Sequence, residues 1–239
     1  MKYSEIKKIA TERLGTELFK QHGFELKKGG LGGGFGFYNH GFENRSLFVG
    51  CSIAKYGDTS IVGHIGGGLI FKEIEYLLIP LLVKTKLMGE SSDKFTNTTI
   101  AINKIHGFEN HNFSRFCEEI IIKDESGVKI LVDRIKEFYY EIAVPAFDSF
   151  ISIEKFVPMM ENLDFYDFTK IFGMGSQFKK ALVWKLCNRS DYEEYMIDLI
   201  ERTEKFLGPN RDQIEGYKWY NTAVELKAIL DNTPAKYNL

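Results

Sequence analysis

The chain has 239 residues, 44% of them hydrophobic and 27% charged, the profile of a globular protein that can bury a core without disulfides. Its 31 basic and 33 acidic residues are mixed along the chain and leave a formal charge of -2, so there is no basic field to hold DNA, RNA or an anionic membrane. The most apolar run, residues 69–83, is broken by Lys72, Glu73, Glu75 and Pro80 and is shorter than the roughly 20 apolar residues of a membrane span.

The first fifteen residues carry charges throughout, unlike a signal or transit peptide. Cys51, Cys117 and Cys187 are odd in number and far apart, which predicts buried thiols in a reducing, cytoplasmic setting. Of the 22 glycines, 16 precede residue 91. Glycine favours turns, bulges and strand corners and destabilises helix interiors, so a β-rich first part and a helical remainder are expected.

In chain order, Ile6, Ile9, Ala10, Leu14 and Leu18 recur at helical spacing, with Ser4 as the cap and His22-Gly23 as the stop. Strands follow at Phe24 to Lys28 and Gly34 to Tyr38, then through Leu47, Val49, Cys51 and Ile53 at alternate positions, then from Thr59 to Ile70. Tyr56-Gly57-Asp58-Thr59 reads as the hairpin between the last two. A short helix from Lys72 to Leu78 is predicted to end near Pro80, and Thr96, Thr98, Ile100 and Ile102 alternate as one more strand.

From Gly127 the period becomes 3.6: Ile130, Leu131, Ile135, Phe138 and Ile142 form one stripe on a helix that Pro145 ends or kinks. Ser152 starts a short helix through Met160. Gln177 to Cys187 and Tyr192 to Leu207 follow, the second opened by a Ser190/Glu193 capping box and closed by Gly208-Pro209; Gln213 to Leu230 is the last helix. The prediction is an α+β protein: an N-terminal helix on an antiparallel sheet over 1–124, then helical hairpins over 125–239 that share its core.

Motifs with chemistry attached lack their context. The Gly29–Phe42 stretch has neither dinucleotide-fingerprint spacing nor a following helix, and no Gly-Lys pair offers a P-loop, so it reads as a hairpin connection. Ser52 in Gly-Cys-Ser-Ile-Ala lies in a strand instead of a strand-to-helix elbow. His106, His111 and Cys117 are the residue types that ligate zinc, yet no Cys-x-x-Cys completes a set. Tyr38, His40, Arg45, Tyr56 and His64 decorate the glycine-rich sheet or its turns, and aromatic and arginine side chains there are good binding anchors.

The order of a helix ending in Phe19 to Gly23, the Gly23-Phe24-x-x-Lys27 element and the aromatic strand Phe35 to Tyr38 resembles the start of a family of uncharacterised bacterial domains, some thought to be immunity-type proteins that neutralise a toxin. The resemblance covers about the first third of the chain and implies an α+β domain with no known catalytic residues. The glycine expansion at 29–34 departs from it. No catalytic residue or cofactor is named. The expected function is non-catalytic binding of another protein, through the glycine-rich sheet edge or the concave side of the helical hairpins. The alternatives are an enzyme or metal protein built on His64, His106 and His111, with Cys117 as a further ligand, or a small-molecule sensor.

Overall fold

The computed structural model describes residues 1–27, 33–57, 59–89, 98–105, 114–207 and 214–239. It is an α+β protein whose chain divides into two compact units, Met1–Leu69 with Ile100–Ile151, and Ile70–Thr99 with Ser152–Leu239. The division does not follow the expected 1–124 and 125–239. The helices following Gly127 as far as Ile151 belong with the sheet, and the helix after the fourth strand belongs with the C-terminal helices.

The first unit opens with α1 (Tyr3–Leu14), whose start is held by Glu5 accepting the Lys2 backbone N–H at 2.9 Å, so Ser4 is not the cap. The helix continues through a π turn, Gly15–Phe19, and a 3₁₀ turn, Lys20–His22, and stops at Gly23, whose φ of 74° closes it. Strands β1 (Glu25–Lys27), β2 (Phe35–Asn39), β3 (Arg45–Tyr56) and β4 (Thr59–Phe71) form the expected meander in the spatial order β1-β2-β3-β4. Beyond β4 lie β5 (Ile100–Ala101), paired antiparallel near Gly68, and β6 (Ile120–Ile122), paired near Ile61. The strand expected from Thr96 to Ile102 is only β5 within the described residues and passes into a 3₁₀ turn at Ile102–Lys104.

Alternate residues of each strand share a sheet face, and through most of β2 and β3 both faces are buried. Phe35, Phe37 and Asn39 of β2 lie opposite Cys51, Val49 and Leu47 of β3, and all six are buried. Phe19 from the π turn stacks on Phe37 with ring centroids 4.3 Å apart, so the N-terminal helix covers this face. Close strand approach demands glycine at two places: a Cβ at Gly34 would lie 1.7 Å from the Cys51 carbonyl oxygen, and one at Gly50 would lie 2.5 Å from that of Phe35. Residues 28–32, most of the glycine cluster read as a connection, lie outside the described residues, as does Asp58 of the hairpin.

A second helical column runs through α3 (Ser114–Cys117), α4 (Glu125–Phe138), a second π turn at Tyr139–Ala143, and α5 (Val144–Ser149). Asp124 caps α4 by accepting from Ser126 and Gly127 N–H groups. Its buried stripe is Val128, Leu131, Val132, Ile135 and Phe138; Ile130 faces away, 52% exposed. Pro145 is the second residue of α5 and follows directly on the π turn, so the helical run is interrupted in its bonding pattern there but does not end.

The second unit contains α2 (Lys72–Lys84), α6 (Val157–Asn162), α7 (Phe165–Phe172), α8 (Ser176–Leu186), α9 (Tyr192–Lys205) and α10 (Ile214–Asp231). Pro80 does not end α2. It lies on the exposed side of the helix, which runs on to Lys84. Ser152 precedes the 3₁₀ turn Ile153–Phe156 that leads into α6. The Ser190/Glu193 box does not form: Asp191 stands at the N-cap, and its carboxylate accepts the Trp184 indole N–H at 2.9 Å. Gly208-Pro209 lies outside the described residues.

A fully buried ion pair holds this unit's interior. The Lys179 ammonium donates to the Thr98 and Phe172 carbonyls at 2.6 and 2.7 Å and meets Glu75 at 3.1 Å. Glu75 also accepts from Thr99 Oγ1 at 2.8 Å, and that hydroxyl accepts the Phe71 N–H at 2.9 Å. Burial pulls the Lys179 ammonium below the usual lysine range, and Glu75 pulls it back up.

Candidate functional site

The five residues singled out on the sheet have different surroundings. Tyr38 and His40 come together: Tyr38 stacks on Phe48 at 5.5 Å, its strand partner, and on His40 at 5.8 Å, while the His40 Nδ1 lies 2.9 Å from Ser46 Oγ. Lys27 Nζ lies over the Tyr38 ring at 5.4 Å. Arg45 is buried instead of forming a rim. Its guanidinium donates to the Phe147 and Phe150 carbonyls at 2.6 and 2.5 Å, capping the C-terminal end of α5. Tyr56 is exposed at the tip of the β3–β4 hairpin.

His64 is half-buried on β4, where the Asn103 side-chain amide donates to Nε2 at 2.9 Å. That contact needs a neutral ring, and burial together with the nearby Lys104 lowers the His64 pKa. Because the folded value lies below the unfolded value of about 6.5, the unfolded chain takes up the proton first as pH falls. His64 therefore contributes stability that is fully present above about pH 6.5 and is lost as pH drops through the folded value. Urea unfolding at stepped pH is expected to show this acid-side loss, and His64→Gln to flatten it; an unchanged slope would separate His64 from it.

His106 and His111 lie outside the described residues, and Cys117 is exposed at the end of α3. Among the described residues no group of three or more His, Cys, Asp or Glu is placed to hold a metal ion. Cys51 and Cys187 are buried, with burial pushing each thiol up to about 12, well away from a reactive thiolate. The expectation of buried thiols therefore holds for two of the three cysteines.

The feature that ligand geometry picks out lies beside these residues, between α1 and β1. Leu26 pairs with Phe37, so the two side chains share the face that the N-terminal helix covers. Phe37 is 2% exposed and Leu26 is 43% exposed, because the helix leaves the end strand open. Two adjoining hollows of about 600 and 400 Å³, sharing Thr11 and Leu26, make one groove there. Its floor is Phe24, Leu26, Phe35 and Phe37, and its helical wall is Thr11, Gly15 and Thr16, small residues that leave room.

The π turn explains why the wall stands off. Ile6, Ala10, Leu14 and Leu18 are all buried at steps of four residues, which in a regular α-helix drift by about 40° per step. The extra residue in the π turn restores the phase, and it brings Gly15 and Thr16 to the groove. The spacing of four is visible in the sequence, but over so few residues it does not differ from an ordinary 3.6 period.

One hollow is lined by Lys7, Lys8 and Lys27 and the other by Glu12, Glu25 and Lys20, with Lys8 4.0 Å from Glu12 where the two adjoin. Neither hollow's described lining includes a histidine or cysteine, and what it offers is shape, charge and a strand edge. The second unit has its own hollow of about 450 Å³ at the C-terminal end of α8, but its Arg189 is engaged by Glu161 at 2.5 Å and Asp191 at 3.3 Å. Compared with family models, curated proteins and solved structures, the chain matches none. No described helix is long and apolar enough to cross a membrane.

Proposed function

We propose that this chain is a non-catalytic binding protein that takes an extended segment of another polypeptide into the groove between α1 and β1. The observation that carries this reading is Leu26: an apolar side chain on the covered face of the sheet, left 43% exposed in the terminal strand beside a groove. An end strand offers backbone donors and acceptors to an added strand, and alternate side chains of that strand would fall into the groove. The expected immunity-type role is one form of this function, in which the segment belongs to a toxin.

Selection of a displayed peptide library, followed by hydrogen exchange on the resulting complex, tests the reading. Bound peptides are expected to slow exchange at Leu26 and Lys27 and to lose at least tenfold in affinity against Leu26→Lys, about 1.4 kcal/mol. Peptides that bind wild type and Leu26→Lys equally, with no slowed exchange in β1, would place binding elsewhere and end it.

A further inference from the structure

We infer that residues 233–239 form a strap that opens while the rest of the second unit stays folded, and that the closed strap is what shields the Cys187 thiol. The segment follows α10 with no helix or strand of its own and lies across the C-terminal end of α8. There the Lys236 and Tyr237 N–H groups both donate to the Leu186 carbonyl at 2.8 Å, and the Leu239 N–H donates to the Cys187 carbonyl at 3.2 Å. These are acceptors that a helix end leaves unbonded, so water can replace the strap there without breaking a bond of α8 itself.

The side-chain fastenings are as replaceable. Lys236 meets Glu73 at 2.6 Å but keeps 55% of its side chain exposed, the setting in which an ion pair adds little. Asn188 donates to Asn238 at 3.3 Å, and Leu239 is itself exposed, so it anchors nothing. Tyr237 turns inward, half-buried, its hydroxyl donating to Glu73 at 3.1 Å. What lies beneath works against closure. Burial and then the charges of Glu154 and Glu73 push the Cys187 thiol up, and burial and then Glu73 and Glu154 push the Tyr237 hydroxyl up, so the four groups are neighbours. Glu154 Oε2 is buried there with no hydrogen-bond partner among the described residues. A carboxylate oxygen left so favours any state in which water reaches it, and lifting the strap admits that water. Thr233, Pro234 and Ala235 also wall the hollow at this end of α8, which opening would widen.

Alkylation of the whole native chain with iodoacetamide, quantified at each cysteine by mass spectrometry, reads the opening. Cys117 is exposed and sets the unhindered rate. Cys187 is expected to react more slowly than Cys117, at a rate that changes less than about twofold in about 1 M urea, because a local opening exposes little surface. Hydrogen exchange at Leu182 and Val183, inside α8, should respond to urea much more steeply. Lys236→Met/Tyr237→Phe is expected to speed Cys187 alkylation at least about tenfold, the effect of losing a hydrogen bond to a charged group, without changing exchange at Leu182 and Val183. Glu154→Met, which removes the orphaned oxygen, is expected to slow it.

Cys187 alkylation that rises with urea as steeply as exchange at Leu182 and Val183 would mean that the second unit opens as a whole, and would overturn the inference. Alkylation in the wild type as fast as at Cys117 would do the same, since the strap would then guard nothing. A Cys187 rate that neither variant changes would show that other elements shield the thiol, and would likewise overturn it.

Discussion

Replacing Lys179 by methionine is expected to destabilise the second unit by about 3–5 kcal/mol, the loss that follows removal of one partner from a buried ion pair. Both side chains are completely buried, so Glu75 would lose its cationic partner where bulk water does not reach. The Thr98 and Phe172 carbonyls would lose their donor as well. For a chain of this size that loss corresponds to a fall of roughly 10 °C in melting temperature.

The double variant Lys179→Met/Glu75→Leu is expected to recover most of the loss, because two apolar groups of similar volume need no solvation. Calorimetry of wild type, both single variants and the double variant measures the coupling. A single-variant loss below about 1 kcal/mol, the range of exposed pairs, would mean that water reaches the site. A double variant no better than the singles would mean that the carbonyl contacts of Lys179 carry the effect.

Lys179 and Glu75 also mark where sequence reasoning stops. Glu75 stands in an apolar run as an interruption, and its partner is 104 positions away, so nothing in local periodicity shows that both are fully buried. Local patterns did reveal the meander, because Leu47, Val49, Cys51 and Ile53 alternate, and the helical remainder, because its apolar residues return at 3.6. Pro80 is misleading because a proline removes one N–H and strains one turn, and on the exposed side of α2 the helix passes through it to Lys84.

The candidate site was half legible. An open sheet edge follows from a meander with a short first strand, and the alternation Phe24, Leu26 was present in the sequence. What made it a groove was not legible: a helix re-phased by one extra residue.

Arg45 gives the other large expected effect, and it separates a binding anchor from a folding one. Arg45→Met removes the guanidinium that caps α5, leaving the Phe147 and Phe150 carbonyls without their charged donor in a buried setting. Hydrogen bonds to a charged group contribute about 1.5–3 kcal/mol each, and a helix C-terminus adds a favourable field for a cation, so a loss of about 3 kcal/mol is expected in urea unfolding. Arg45→Lys keeps the charge and reaches one carbonyl at most, so it should fall between wild type and Arg45→Met. Because Arg45 does not line the groove, peptide affinity measured under folding conditions should change by less than about twofold, a few tenths of a kcal/mol. Stability preserved but peptide binding lost in Arg45→Met would reverse the assignment, returning Arg45 to the contact surface and moving the binding site from β1 towards the start of β3.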